Sequence, residues 1–147
     1  MNNEQPQRLL EQAMAAAEEG NTLLALMQLE RLPADCRPPL AWSYLGLCLA
    51  RERRQYRRGQ GLCQQALQQE PANSRHYLNL GRIYLLAGRK SLAIAAFRRG
   101  LKFGRDRAIM DELKALGLRR APVFSAFDRS HLVNRLAGRL RQRFSGR

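Results

Sequence analysis

The stretch from Ser74 to Phe103, SRHYLNLGRIYLLAGRKSLAIAAFRRGLKF, leaves this chain few ways to fold. Tyr77, Leu80, Gly81 and Tyr84 stand at i, i+3, i+4 and i+7, so they share one face of a helix. Gly88 interrupts the pattern. Ala93 follows Tyr84 by nine residues and Phe97 follows Ala93 by four, on a second helix. Large side chains fill the space between two antiparallel helices, while Gly81 and Ala93 are small enough to let the backbones approach. A helical hairpin is expected.

The pattern recurs upstream. Trp42, Leu45, Gly46 and Leu49 keep the same helix-face spacing, Pro39 stands near the helix start and Pro71 stops the second helix. This copy departs twice. Leu49 precedes Gly59 by ten residues rather than nine, and Gly59 and Cys63 stand where the later hairpin has Ala93 and Phe97. The extra residue is expected in the turn within RERRQYRRGQ, because a surface turn absorbs an insertion more cheaply than a packed helix. Before Pro38, Glu4–Glu19 and Thr22–Leu32 read as helices joined at Gly20-Asn21, with Ala16, Ala25 and Leu29 in the same phase. Beyond Gly104, Asp106 can cap a further helix, Arg107–Leu116, that stops at Gly117.

These positions resemble the tetratricopeptide repeat, a helix-turn-helix of about 34 residues with the pattern W-x2-L-G-x2-Y, then A-x3-F, then Pro. The resemblance implies an all-α fold: a right-handed α-solenoid of about three hairpins with C-terminal capping helices. The repeats span about 6–38, 39–73 and 74–107, with the further helix at 107–116. Residues 1–117 form the repeat domain and 118–147 a basic strap and terminal helix. Hairpins of this kind expose apolar surface to their neighbours and hold only when stacked. Burial of Trp42, Leu45, Tyr77, Leu80, Tyr84 and Phe97 supplies about 1.5–3 kcal/mol each.

Composition narrows the partners. The 26 Lys and Arg against 12 Asp and Glu give a net charge of +14, which favours acidic proteins, nucleic acid or anionic lipid. Residues 118–147 carry eight arginines and one acid, half of that excess. Within them Pro122, Val123, Phe124 and Phe127 read as an extended strap. Leu132, Leu136, Leu140 and Phe144 recur at i+4, the apolar stripe of a last helix that caps the stack. Cys36, Cys48 and Cys63 lack metal-ligand spacing, and Cys48 and Cys63 fall at inward-facing positions, so neither a metal site nor a cofactor is expected. The opening MNNEQPQRLL has no basic patch ahead of an apolar run, and no stretch reaches the ~18–20 apolar residues of a membrane span, so a cytoplasmic location is expected.

No catalytic constellation stands out. His76 and His131 are the only histidines, and His76 has no Ser, Cys or carboxylate at a telling spacing. Gly88-Arg89-Lys90-Ser91 lacks the remainder of a phosphate loop. The acid pairs Glu18-Glu19 and Asp111-Glu112 read as solvated helix ends. No enzyme activity and no small-molecule substrate are expected.

Function is therefore sought on the concave face that the resemblance assigns to the first helices. Carried over by repeat position, that face takes Gln7, Leu10 and Met14, then Leu40, Ser43, Tyr44, Leu47, Ala50 and Arg51. The third repeat adds Arg75, Leu78, Asn79, Arg82, Leu85 and Leu86. Leu47, Arg51, Arg75, Leu78, Asn79, Arg82 and Leu85 are the candidate contacts for a peptide or helix of another protein. A carboxylate is expected near Arg75, Asn79 and Arg82, since the planar guanidinium fork can grip it with two hydrogen bonds. Reversing the charge of Arg75 and Arg82 is expected to abolish binding without lowering the melting temperature. The alternative is a basic module for nucleic acid or anionic membrane. It would use Arg53, Arg54, Arg57 and Arg58 around the turn and Arg135, Arg139, Arg141 and Arg143 on the terminal helix.

Overall fold

The computed structural model describes residues 4–118, all of whose regular elements are helices. In chain order they are α1 (Glu4–Glu18), α2 (Thr22–Glu30), α3 (Pro39–Arg53), α4 (Tyr56–Gln69), α5 (Ser74–Leu86), α6 (Lys90–Leu101) and α7 (Arg107–Ala115). A short 3-10 turn at Ala34–Cys36, which the sequence pattern did not announce, precedes the proline pair. The chain divides into two compact units, residues 1–112 and 113–147. The described part of the second ends α7 and closes at Gly117, where the Gly117 amide donates to the Lys114 carbonyl. The expected strap and terminal helix lie outside the described residues.

Local chemistry explains the boundaries. The Asn21 carboxamide accepts the Leu24 amide at the start of α2, and Asn73 accepts the Arg75 amide at the start of α5. Pro39 opens α3, where its missing N–H costs nothing. Gly20 and Gly88 take φ of +87° and +74° in the hairpin turns, which side chains with a Cβ resist. The second hairpin has no such glycine. Arg54 itself adopts the left-handed conformation (φ 55°), and the turn shrinks to Arg54 and Gln55 between α3 and α4. The extra residue of this repeat therefore lies in α3, which runs two residues past the register position of Leu86, and not in the turn where it was expected.

In the first unit α1 pairs with α2, α3 with α4 and α5 with α6. The first helix of each hairpin then seats on the hairpin before it: α3 on α2 and α1, α5 on α3 and α4. This is a helical-hairpin solenoid. One apolar cluster joins Ala13, Ala16 and Ala17 of α1 to Leu26 and Leu29 of α2 and Leu45 and Leu49 of α3. Another joins Leu47 and Ala50 of α3 to Cys63, Leu80, Ile83 and Ala96. Phe97 is fully buried, whereas Trp42, Tyr77 and Tyr84, expected wholly inside, are only half-buried. Tyr77 stacks on Phe103 at a ring separation of 5.6 Å and donates its hydroxyl to the Pro71 carbonyl, so its outer edge serves the surface.

Candidate functional site: a polar seam across the first helices

Four first helices contribute to one ionic seam. Glu18, the last residue of α1, accepts hydrogen bonds at Oε1 from the Tyr44 hydroxyl of α3 (2.8 Å), from Arg82 Nη1 of α5 (3.0 Å) and from Arg75 Nη1 (3.4 Å). Its Oε2 accepts from Arg82 Nη2 at 3.1 Å, which makes the Arg82–Glu18 pair bidentate. Arg82 donates its remaining Nε–H to Glu112 of α7 at 2.9 Å. Arg75 reaches Asp106 at 3.5 Å. Asp106 in turn accepts the Ser74 hydroxyl and the Ala108 and Ile109 amides at the start of α7.

The seam is partly shielded from water, with the Arg82 side chain 16% exposed and that of Glu18 31%. Its titration follows from that geometry. Burial works to raise the Glu18 pKa, but hydrogen bonds from Arg82 and Tyr44 and the charges of Arg82 and Arg75 outweigh it. The carboxyl is held below its ordinary range. Burial likewise works against the Arg82 charge, and the carboxylates of Glu18 and Glu112 reverse the effect and raise its pKa. Burial, then the adjoining Glu18 charge, push the Tyr44 phenol up, so Tyr44 stays a donor.

Beneath the seam lies a second polar network. His76, fully buried on α5, pairs Nε2 with Glu70 Oε1 at 2.8 Å and Nδ1 with Ser43 Oγ at 2.9 Å. Asn79 Nδ2 donates to the same Ser43 oxygen at 3.3 Å, and the Ser43 hydroxyl lies 3.3 Å from the Leu40 carbonyl. The sequence reading placed no serine or carboxylate near His76; the fold brings one of each from α3 and from the end of α4. Ser43 and His76 are fully buried, the Glu70 side chain is part exposed, and the trio ties α3, α4 and α5 together. The Asn79 Oδ1 atom is buried and has no hydrogen-bond partner among the described residues.

The expected contact residues divide. Leu47 lies in the apolar core, Leu78 is buried, and Asn79 is buried and engaged with Ser43. Arg51 is exposed, and Arg75, Arg82 and Leu85 are half-buried. Arg75 and Arg82 are not idle solvated cations, since both hold carboxylates of their own chain. The expectation that reversing them would spare stability is corrected accordingly, because Glu residues there would face Glu18, Asp106 and Glu112. Of the basic cluster, Arg53 pairs with Glu30 at 2.9 Å, Arg54 caps α3, and Arg58 donates to Gln55 at 3.4 Å, while Arg57 is exposed. Arg135, Arg139, Arg141 and Arg143 lie outside the described residues. Among the described residues no cluster of three His, Cys, Asp or Glu is placed to hold a metal ion.

Glu18 was the residue that sequence reasoning passed over. Counted in the same register, it stands level with Arg51 and Leu86, both assigned to the concave face. Continuing the carry-over to the end of α1 would have reached it.

Residues 50–117, from the last turns of α3 through α7, match the family model described as tetratricopeptide repeat. The chain carries tetratricopeptide repeats over residues 50–117. The matched segment contains the α5–α6 hairpin whole, with Tyr77, Gly81, Ala93 and Phe97, while α1 and α2 precede it. No curated protein matches the chain. Tetratricopeptide repeats generally mediate protein–protein interaction and are typically non-catalytic scaffolds, so the seam belongs to a fold built to bind other proteins. Among the described residues no helix is long and apolar enough to cross a membrane.

Proposed function

We propose that this tetratricopeptide repeat chain is a non-catalytic adaptor that takes an acidic peptide or helix of a partner protein on the face of its first helices. Arg75 and Arg82 grip the partner's carboxylate, with Arg51 and Leu85 at the margin. Leu47, Leu78 and Asn79 support these positions from within. One observation carries the reading: the Arg82 fork already holds a carboxylate with two hydrogen bonds of 3.0 and 3.1 Å. The face thus has the donor geometry that acid recognition needs.

The test is fluorescence anisotropy of the full chain with a labelled amphipathic peptide of alternating Glu and Leu turns, at physiological ionic strength. Replacing Arg82 by Gln is expected to weaken binding by about tenfold or more, since truncating a charge pair typically costs over 1.4 kcal/mol. Replacing Arg57 and Arg58 by Gln leaves it unchanged. The reverse pattern, with single-stranded DNA or anionic vesicles competing away the peptide, would assign binding to the basic cluster instead.

A further inference from the structure

Resting on that reading of the first-helix face, we propose that Glu18 is a built-in stand-in for the partner's acidic residue. Binding proceeds by exchange: the partner's carboxylate takes the Nη1 and Nη2 donors of Arg82 and the Arg75 donor, and Glu18 swings into water.

The donors are arranged for such an exchange. Arg75, Asn79 and Arg82 stand at i, i+4 and i+7 on α5, and the Glu18 carboxylate bridges the two arginines, 3.4 Å from one and 3.0 Å from the other. The place at which the sequence calls for a foreign carboxylate is thus filled by one from α1. Arg82 divides its donors between two acids. Nε is tied to Glu112, which keeps the guanidinium oriented, while the outward fork alone serves Glu18. Losing Glu18 therefore leaves a preorganised receptor rather than a wandering side chain.

Glu18 is also opposed by its own helix. It ends α1, where the negative pole of the helix disfavours a carboxylate, and the arginines offset that penalty. An incoming acid with no helix C-terminus behind it makes the same hydrogen bonds without opposing a dipole. Release takes the acceptor from the buried Tyr44 hydroxyl, a bond the incoming carboxylate must also supply, but α1 stays held in the core by Ala13, Ala16 and Ala17, and the Glu18 side chain is already partly in solvent. The internal competitor sets a threshold. A partner displaces it only by adding contacts beyond a single carboxylate, and the apparent affinity falls with the fraction of time the fork is free.

The full chain and its Glu18→Gln, Arg82→Gln and double variants are titrated with the same labelled acidic peptide, each variant's fold being checked by its melting curve. Gln keeps an acceptor for Tyr44 but surrenders the charge, so Glu18→Gln is expected to bind about five- to tenfold tighter than the natural chain. Arg82→Gln is expected to weaken binding by about tenfold or more in both backgrounds. If Glu18→Gln binds no tighter while Arg82→Gln still weakens binding, the stand-in is refuted and the binding face survives. If Arg82→Gln binds as the natural chain does, or no form binds the peptide, the binding face falls and the stand-in with it. A carbon-detected NMR titration of the natural chain decides the matter without any variant. The Glu18 carboxyl resonance must move toward that of a solvated glutamate at saturating peptide, and a stationary resonance overturns the proposal.

Discussion

The second and third hairpins answer the same packing problem differently. In α3–α4, Gly46 faces Gly59 so closely that a Cβ built on either would stand 2.6 Å from the other's carbonyl oxygen. In α5–α6 the ring of Phe97 lies over Gly81 instead, filling the place a Cβ would occupy, and Ala93 takes the position of Gly59. The two glycine-for-alanine and cysteine-for-phenylalanine departures are therefore one coordinated change. Without a ring between them the helices close backbone on backbone, and Cys63 fits the reduced space, its thiol 3.7 Å from the Ser43 carbonyl. The outer faces diverge as well. At the positions of Leu40 and Leu47 in α3, α5 carries Arg75 and Arg82. One first helix is committed to the core, and the next offers charge.

The largest effect separating the hairpins should come from truncating their central side chains. Phe97→Ala is expected to cost about 3–5 kcal/mol in urea unfolding, through lost burial and the cavity left behind. Cys63→Ala should cost only about 1 kcal/mol, because it deletes one sulfur atom. Equal costs would break the comparison.

Adding a methyl group should distinguish the two contacts next. Gly59→Ala and Gly81→Ala are each expected to lose about 1–3 kcal/mol by overpacking, more than the helix propensity of alanine returns. The second loss is recoverable because the obstacle is a side chain: Phe97→Leu in the Gly81→Ala background should give a favourable coupling of about 0.5 kcal/mol or more. No single side-chain change rescues Gly59→Ala, whose obstacle is the Gly46 backbone.

The charged face of the third hairpin predicts a smaller, pH-dependent term. Glu18 has a pKa below its unfolded value of 4.5, so its contribution is complete above that value and is lost as the pH falls through the lowered one. Thermal melts should therefore show the natural chain above Glu18→Gln near neutrality, with the gap closing in acid. A gap independent of pH would mean that the charge is not what holds the seam. Smallest is Arg53→Ala in the second hairpin. Its pair with Glu30 is 48% and 41% exposed at the two side chains, so its loss should move stability by under about 1 kcal/mol.

The hairpins could be read in the sequence because local spacing dictates them. Tyr77, Leu80, Gly81 and Tyr84 identify a helix face without reference to anything distant, and Gly20 and Gly88 mark turns by their own backbone freedom. Asp106 was a recognisable cap for the same reason. The seam was half visible. Arg75 and Arg82 on one helix call for a carboxylate between them, but Glu18 and Glu112 come from α1 and α7, and only the stacking of hairpins brings them there. Glu18-Glu19 and Asp111-Glu112 look like any solvated acid pair until their neighbours are known. The His76 network was hidden more deeply, since Ser43 and Glu70 stand at unrelated spacings and converge through the seating of α5 on α3 and α4.

The claim that this face receives the partner is tested most directly by residue-resolved amide shifts of the labelled full chain during titration with the acidic peptide. Shifts centred on Arg75, Arg82 and Leu85 of α5, reaching Arg51 of α3 and abolished by Arg82→Gln, are the predicted result. Shifts confined to Arg57 and Arg58 on α4, and indifferent to Arg82, would contradict it.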